Sequence, residues 1–180
     1  MSSVHLIALG ATVALGGILV AAAPHAVTLA SQQPAVPSGE TVNGISCDAM
    51  EGSRLHIHQH LVIFDRGKAV DIPANIGIPA GKQCLYWLHT HTPDGVIHIE
   101  APATRTFTLG DFFKIWGKPL SKTVAATAHA EKGKTLKVWV DGKAYSGDPG
   151  AIPLAAHTDV VIEAGPPYPK PPKFTDWNGR

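Results

Sequence analysis

Charge is scarce in this chain. Only 16% of its 180 residues are charged, and the net charge is +1. That balance offers no electrostatic basis for binding nucleic acid or an anionic membrane. Lysine and arginine are absent before Arg54. There is no Gly-x-Ser-x-Gly, no His-Glu-x-x-His and no phosphate-binding loop, so no motif commits the chain to those reactions. Cysteine occurs twice, at Cys47 and Cys84, without Cys-x-x-Cys spacing. In an exported protein such an even pair reads as a disulfide. The rival reading is thiolate ligation of a metal, which suits a reducing compartment better.

The long apolar run is confined to Leu6–Ala23, an uncharged stretch of small and aliphatic residues closed by Pro24. Residues 1–30 are expected to be a secretory signal peptide, with small-residue cleavage sites at Ala21-Ala22-Ala23 or Thr28-Leu29-Ala30. The missing basic residues fit a signal poorly. Eighteen apolar residues could also just span a bilayer as a retained N-terminal anchor, the single membrane contact expected. Residues 31–44 are polar, with Pro34, Pro37 and Gly39, and read as a flexible linker. Residues 166–180 form a Pro-rich C-terminal tail suited to extended polyproline structure. Between them, 45–165 is the folded domain, of ordinary size.

Strand signals dominate that domain. Leu55–Phe64 alternates apolar and polar residues, Asp65-Arg66-Gly67-Lys68 is a turn, and Ala69–Ile72 returns. Leu85–Thr92 is expected as a strand, with Val96–Glu100 as its partner across Pro93-Asp94-Gly95. Leu136–Val140, Asp141-Gly142 and Lys143–Tyr145 read as a hairpin, and Asp159–Ala164 as a last strand. One short helix is expected, opened by Thr108 as N-cap and stopped by Gly117 and Pro119. The prediction is a mainly β protein, a small sandwich or barrel-like domain of hairpins. An internal duplication is also suggested. Leu61–Lys68 resembles Leu136–Lys143, and each copy leads through an Ile-Pro step to an Ile-Glu-Ala, at Ile99-Glu100-Ala101 and Ile162-Glu163-Ala164.

What the chain does have is histidine. Six of its ten histidines lie between positions 56 and 98. His56, His58 and His60 alternate, so they project from one face of a strand. His89 and His91 repeat that spacing. Neutral imidazole is a ligand for zinc, copper, nickel and iron. Three same-face residues on a straight strand span about 13 Å, too far for one ion. Either the strand bends or two of the three bind, with His58 and His60 preferred over His56. A two-residue loop at Pro93-Asp94 or Asp94-Gly95 would put His98 on the face of His89 and His91. A three-residue loop with Gly95 bulged would turn it away, and Glu100 with it. The expected ligands are therefore His56, His58, His60, His89, His91 and His98. Glu100 is expected as an outer partner or an acid/base group. An imidazole set without thiolate suits copper or zinc and disfavours calcium and magnesium. Each histidine alone reads more naturally as an ordinary strand residue; the clustering is what points to a metal.

Tyr86-Trp87-Leu88-His89-Thr90-His91 with Asp94-Gly95-Val96-Ile97-His98-Ile99-Glu100 resembles the signature of a family of uncharacterised exported bacterial and archaeal proteins. His56–His60, Ile72–Ile78 and Phe107–Gly110 with Phe112-Phe113 look like the same family. The resemblance implies an extracytoplasmic setting and a histidine-rich site, but no activity. His58-Gln59-His60 with Asp65 carries only part of a cupin metal motif, so a cupin is not inferred.

Three functions compete. The first is an extracytoplasmic metal-binding protein; the second is a metal-dependent oxidase, oxygenase or hydrolase using the same cluster. The third is a metal-free interaction module, against which the tight grouping of histidines argues.

Overall fold

Eleven residues of alternating character, Leu55–Asp65, form the longest strand (β2) and organise the domain. Its odd-numbered side chains, among them Leu61 and Ile63, enter the core, while His56, His58 and His60 face the other way. Burying each Leu or Ile contributes about 1.5–3 kcal/mol. A one-residue slip would bury the histidines on the core side and expose the aliphatics, so the register is strongly specified. The computed structural model describes residues 40–177 and Gly179, which belong to one compact unit. The 1–30 signal or anchor segment and residues 31–39 of the linker lie outside the described residues.

The remaining strands are β1 (Cys47–Asp48), β3 (Lys68–Val70), β4 (Leu85–Tyr86), β5 (Leu88–His89), β6 (Val96–Ala101), β7 (Val124–Ala125), β8 (Ala128–His129), β9 (Lys137–Val140), β10 (Lys143–Tyr145) and β11 (Asp159–Ala164). The main sheet runs β10-β9-β11-β2-β6-β5, with β3 beside β2, while β1-β4 and β7-β8 form two small pairs. The protein is mainly β, as expected. The main sheet has two open ends, so the barrel-like alternative is not realised. β11 runs parallel to β2, whereas β6 runs antiparallel to it.

Both halves of the suspected repeat form hairpins. β2-β3 turns at Arg66-Gly67 and β9-β10 at Asp141-Gly142, each with positive φ at both turn residues. That is the geometry of a two-residue I′ turn. The strands bearing Glu100 and Glu163, β6 and β11, each lie antiparallel to the first strand of the corresponding hairpin.

The helix, α1 (Leu109–Trp116), begins and ends where its capping residues require. Thr108 and Asp111 form a reciprocal capping box, and Gly117 closes the C-terminus in the left-handed conformation. Phe112 and Phe113 are buried in the core against which the sheet packs.

Cys47 and Cys84 are joined by a disulfide, with Cα atoms 5.3 Å apart. The bond sits beside the β1-β4 pair, in which Cys47 opposes Tyr86. The expected strand Leu85–Thr92 is broken at Trp87 into β4 and β5. Its far edge is covered by the Pro73–Ile78 loop: Asn75 N–H donates to Thr90 O, Thr90 N–H to Ile76 O, and Tyr86 N–H to Gly77 O. Gly77 has φ of +76°, and a Cβ there would stand 2.5 Å from Leu88 O. Only glycine lets the loop come this close.

The Pro-rich tail returns to the sheet. Phe174 N–H donates to Asp159 Oδ2 at 3.1 Å, and its ring stacks on His60 with centroids 3.9 Å apart. The rings of Trp177 and His157 stack at 4.7 Å. Among the described residues no helix is long and apolar enough to cross a membrane.

Candidate metal centre

Three adjacent strands place the histidines in rows. Across β2-β6, His56 opposes Glu100 and His58 opposes His98. Across β6-β5, His98 opposes His89. His58, His98 and His89 thus form one rung, and Glu100 lies on the next, all on the face opposite Ile97 and Ile99. The His89–His98 register, not a tight hairpin, keeps His98 on the histidine face. The ladder ends there, and residues 90–95 form a six-residue connection, in which Asp94 Oδ1 accepts from Val96 N–H at 3.1 Å.

The side chains converge in two overlapping groups. His56, His58, His98 and Glu100 offer ligand atoms all within 4.8 Å of one another, and so do His89, His91, His98 and Glu100. In the first group, His58 Nε2 is 3.1 Å from His98 Nδ1, and Glu100 Oε1 is 3.1 Å from His98 Nδ1 and 3.2 Å from His56 Nε2. In the second, His89 Nε2 is 3.1 Å from His91 Nε2 and 3.8 Å from Glu100 Oε2. Four tetrahedral ligands on bonds of 2.0–2.2 Å stand about 3.3–3.6 Å from one another. The observed spacings bracket that value, so both groups can hold a metal ion.

His60 stands apart. The parallel pairing of β11 with β2 sets it opposite Asp159, to which its Nδ1 donates at 2.8 Å. It belongs to neither group, and the companion of His58 on β2 is His56 instead.

Electrostatics sharpen the geometry. His89 is fully buried, and desolvation pushes its pKa down to about 4, against the backbone bond to Tyr86 and the pull of Glu100. A carbonyl can only accept, so His89 Nδ1 donates to Tyr86 O, at 2.9 Å. The neutral ring therefore turns an unprotonated Nε2 toward His91 and Glu100. A backbone partner that fixes the tautomer in this way is typical of metal-ligating histidine. Burial alone would raise the Glu100 carboxyl. The His98 hydrogen bond and the nearby rings of His89 and His56 outweigh it and hold the group below the usual carboxylate range. Glu100 Oε2 is nevertheless buried without a hydrogen-bond partner. A buried carboxylate oxygen facing an imidazole lone pair lacks the cation or proton that would offset its desolvation.

One consequence concerns acid. In the unfolded chain His89 takes up its proton near its ordinary value of 6.5, but in the folded protein only near 4. The contribution is present above pH 6.5 and is lost as the pH falls toward 4. Metal-free protein is expected to lose roughly 3 kcal/mol of stability across that window from this group alone. Urea unfolding at pH 7 and pH 4 measures the loss. A His89→Gln variant with the same pH slope would contradict the assignment.

Two contributors escaped sequence reasoning. Glu51 Oε1 lies 3.5 Å from His91 Nε2 at the outer edge of the second group. It is brought there by Gly52, whose N–H donates to Glu100 O and where a Cβ would stand 2.3 Å from the Ala101 carbonyl carbon. The other is the Tyr86 carbonyl. Glu51 has no periodic or motif signal; a glycine after a lone carboxylate is the single hint. His157 lines a shallow cleft with His56, His58 and Glu100.

No protein-family model, curated protein or solved structure matches the chain.

Proposed function

We propose that this is an extracytoplasmic transition-metal-binding protein that takes copper or zinc on the histidine face of its sheet. The observation that carries the reading is the convergence of five imidazoles and one buried carboxylate at ligand spacing from three strands and the bend after β5. Imidazole with a single carboxylate and no thiolate favours copper(II) or zinc over calcium or magnesium. The disulfide fits an oxidising compartment. The resemblance of the His89–Glu100 region to exported proteins points the same way.

The test is elemental analysis of untagged protein purified from an oxidising compartment, followed by titration of the chelator-treated chain. Copper or zinc is expected to copurify, and added ion at a hundred times its dissociation constant is expected to stabilise the fold by about 2.7 kcal/mol. Protein that copurifies without metal and is not stabilised by either ion would overturn the reading.

A second reading, a metal-dependent enzyme, is favoured by the cleft beside His56, which leaves room for an exogenous ligand on the first group. Azide added to the copper form separates the two. A shifted visible spectrum reveals an open coordination position, and an unchanged one marks a closed binding site.

A further inference from the structure

We infer that the two ligand groups are not alternatives for one ion: the face binds two transition-metal ions together, bridged by the Glu100 carboxylate. The inference deepens the metal-binding reading and rests on it.

The carboxylate is aimed both ways. Oε1 faces the His56, His58 and His98 side, and Oε2 faces His89. One oxygen is thus committed to each group, and the second is the buried atom without a partner. A single ion in the first group would leave Oε2 buried without a partner, 3.8 Å from His89 Nε2. An ion between Oε2, His89 and His91 supplies that partner. Carboxylate-bridged pairs of ions stand about 3.5–4 Å apart, a separation that two groups sharing Glu100 can accommodate, with His98 ligating one of the two ions.

Charge is only partly balanced in this arrangement. Two divalent ions bring four positive charges against one negative charge from Glu100, so solvent-derived anions must complete the balance. Glu51, beside His91, supplies a second carboxylate at the edge where the outer ion would sit. His56 and His91 are the exposed members of their groups, at 56% and 41% side-chain exposure. Each group therefore has a solvent-facing ligand through which an ion can arrive separately, while the shared residues are buried.

The experiment uses the untagged full chain, stripped of metal and titrated with zinc(II) by calorimetry, with elemental analysis at saturation. Two ions per chain are expected. Two copper(II) ions bound instead are expected to show a broadened, weakened electron paramagnetic resonance signal from magnetic coupling. Glu100→Gln is expected to lower the affinity for one ion by about a hundredfold and to restore an uncoupled copper signal. Because Glu100 is buried and its variant can misfold, His56→Ala and His91→Ala supply the independent arm. Each changes an exposed side chain and is expected to reduce the stoichiometry from two to one. Wild-type saturation at one ion overturns this inference and leaves the metal-binding reading standing, whereas no binding at all overturns both. Two ions whose coupling survives Glu100→Gln overturn the bridging role.

Discussion

Replacing His98 with alanine is expected to weaken metal binding at both groups, by roughly a hundredfold or more for the ion it ligates and about tenfold for the other. His98 is the one imidazole common to the two groups. Its Nδ1 lies 3.1 Å from His58 Nε2 and from Glu100 Oε1, and its ring packs against those of His89 and His91. Even partners that merely orient a ligand change affinity 10–100-fold in metal sites. His98 can ligate only one ion, but its bond to Glu100 orients the carboxylate, so its loss reaches the second ion as well. The fold should survive, because the core is built by Ile97 and Ile99 on the other face of β6. The metal-free variant should lose only about 1.5–3 kcal/mol, the worth of a hydrogen bond to a charged acceptor. The control is His60→Ala. His60 bonds Asp159 and stacks on Phe174, so its removal should leave zinc affinity unchanged while loosening the C-terminal segment. Zinc titration of the two variants checks the contrast. Equal losses, or retention of wild-type affinity by His98→Ala, would count against the shared position of His98.

That contrast marks how far the sequence reaches. Alternation of histidine with aliphatic residues in Leu55–Phe64 is a local property, and it correctly announced a strand with one apolar and one imidazole face. The Thr108–Asp111 box and Gly117 likewise carry their geometry in adjacent residues, and the helix appears where they place it. The Cys47–Cys84 bond was legible from number and compartment. The choice between His56 and His60 was not local. It depends on what lies across from each. β6 sets Glu100 opposite His56, and β11 sets Asp159 opposite His60. Parallel pairing of β2 with a strand about a hundred residues later is invisible to any window of sequence. The position of His98 hung on one loop residue, since a change of loop length by one inverts every side chain that follows. Pro93-Asp94-Gly95 is compatible with either length, and the strands in fact connect through the six residues 90–95. The break at Trp87 also went unseen, because it marks a change of partner, β4 pairing with β1 and β5 with β6, and not a breaker residue.

Loss of the disulfide is expected to act on stability and on one metal group, but not on the other. The bond closes a loop with a sequence separation of 37, so its removal in a Cys47→Ser, Cys84→Ser double variant should cost about 4 kcal/mol in chain-entropy terms. That is a large part of the 5–15 kcal/mol typical of a whole domain. The bond also locates the segment that orients His89. Cys47 pairs with Tyr86 in the β1-β4 register, Asp48 Oδ2 accepts from Trp87 Nε1 at 2.6 Å, and the Tyr86 carbonyl accepts from His89 Nδ1. Without the crosslink, β1 no longer fixes Tyr86, and the His89 ring loses the restraint that presents Nε2. Zinc affinity of the His89–His91 group should then fall by about 10–100-fold, as when an orienting partner is lost. His56 and His58 lie on β2, held by β6 and β11 on either side, so their group should bind as before. Serine variants are preferable to added reductant, which would also reduce bound copper. Urea titration gives the stability change, and zinc calorimetry on the surviving folded fraction gives the affinities. Uniform weakening of both groups would show that the disulfide acts on the domain as a whole. Loss confined to the second group would trace a direct mechanical path from Cys84 through Tyr86 to the metal ligand.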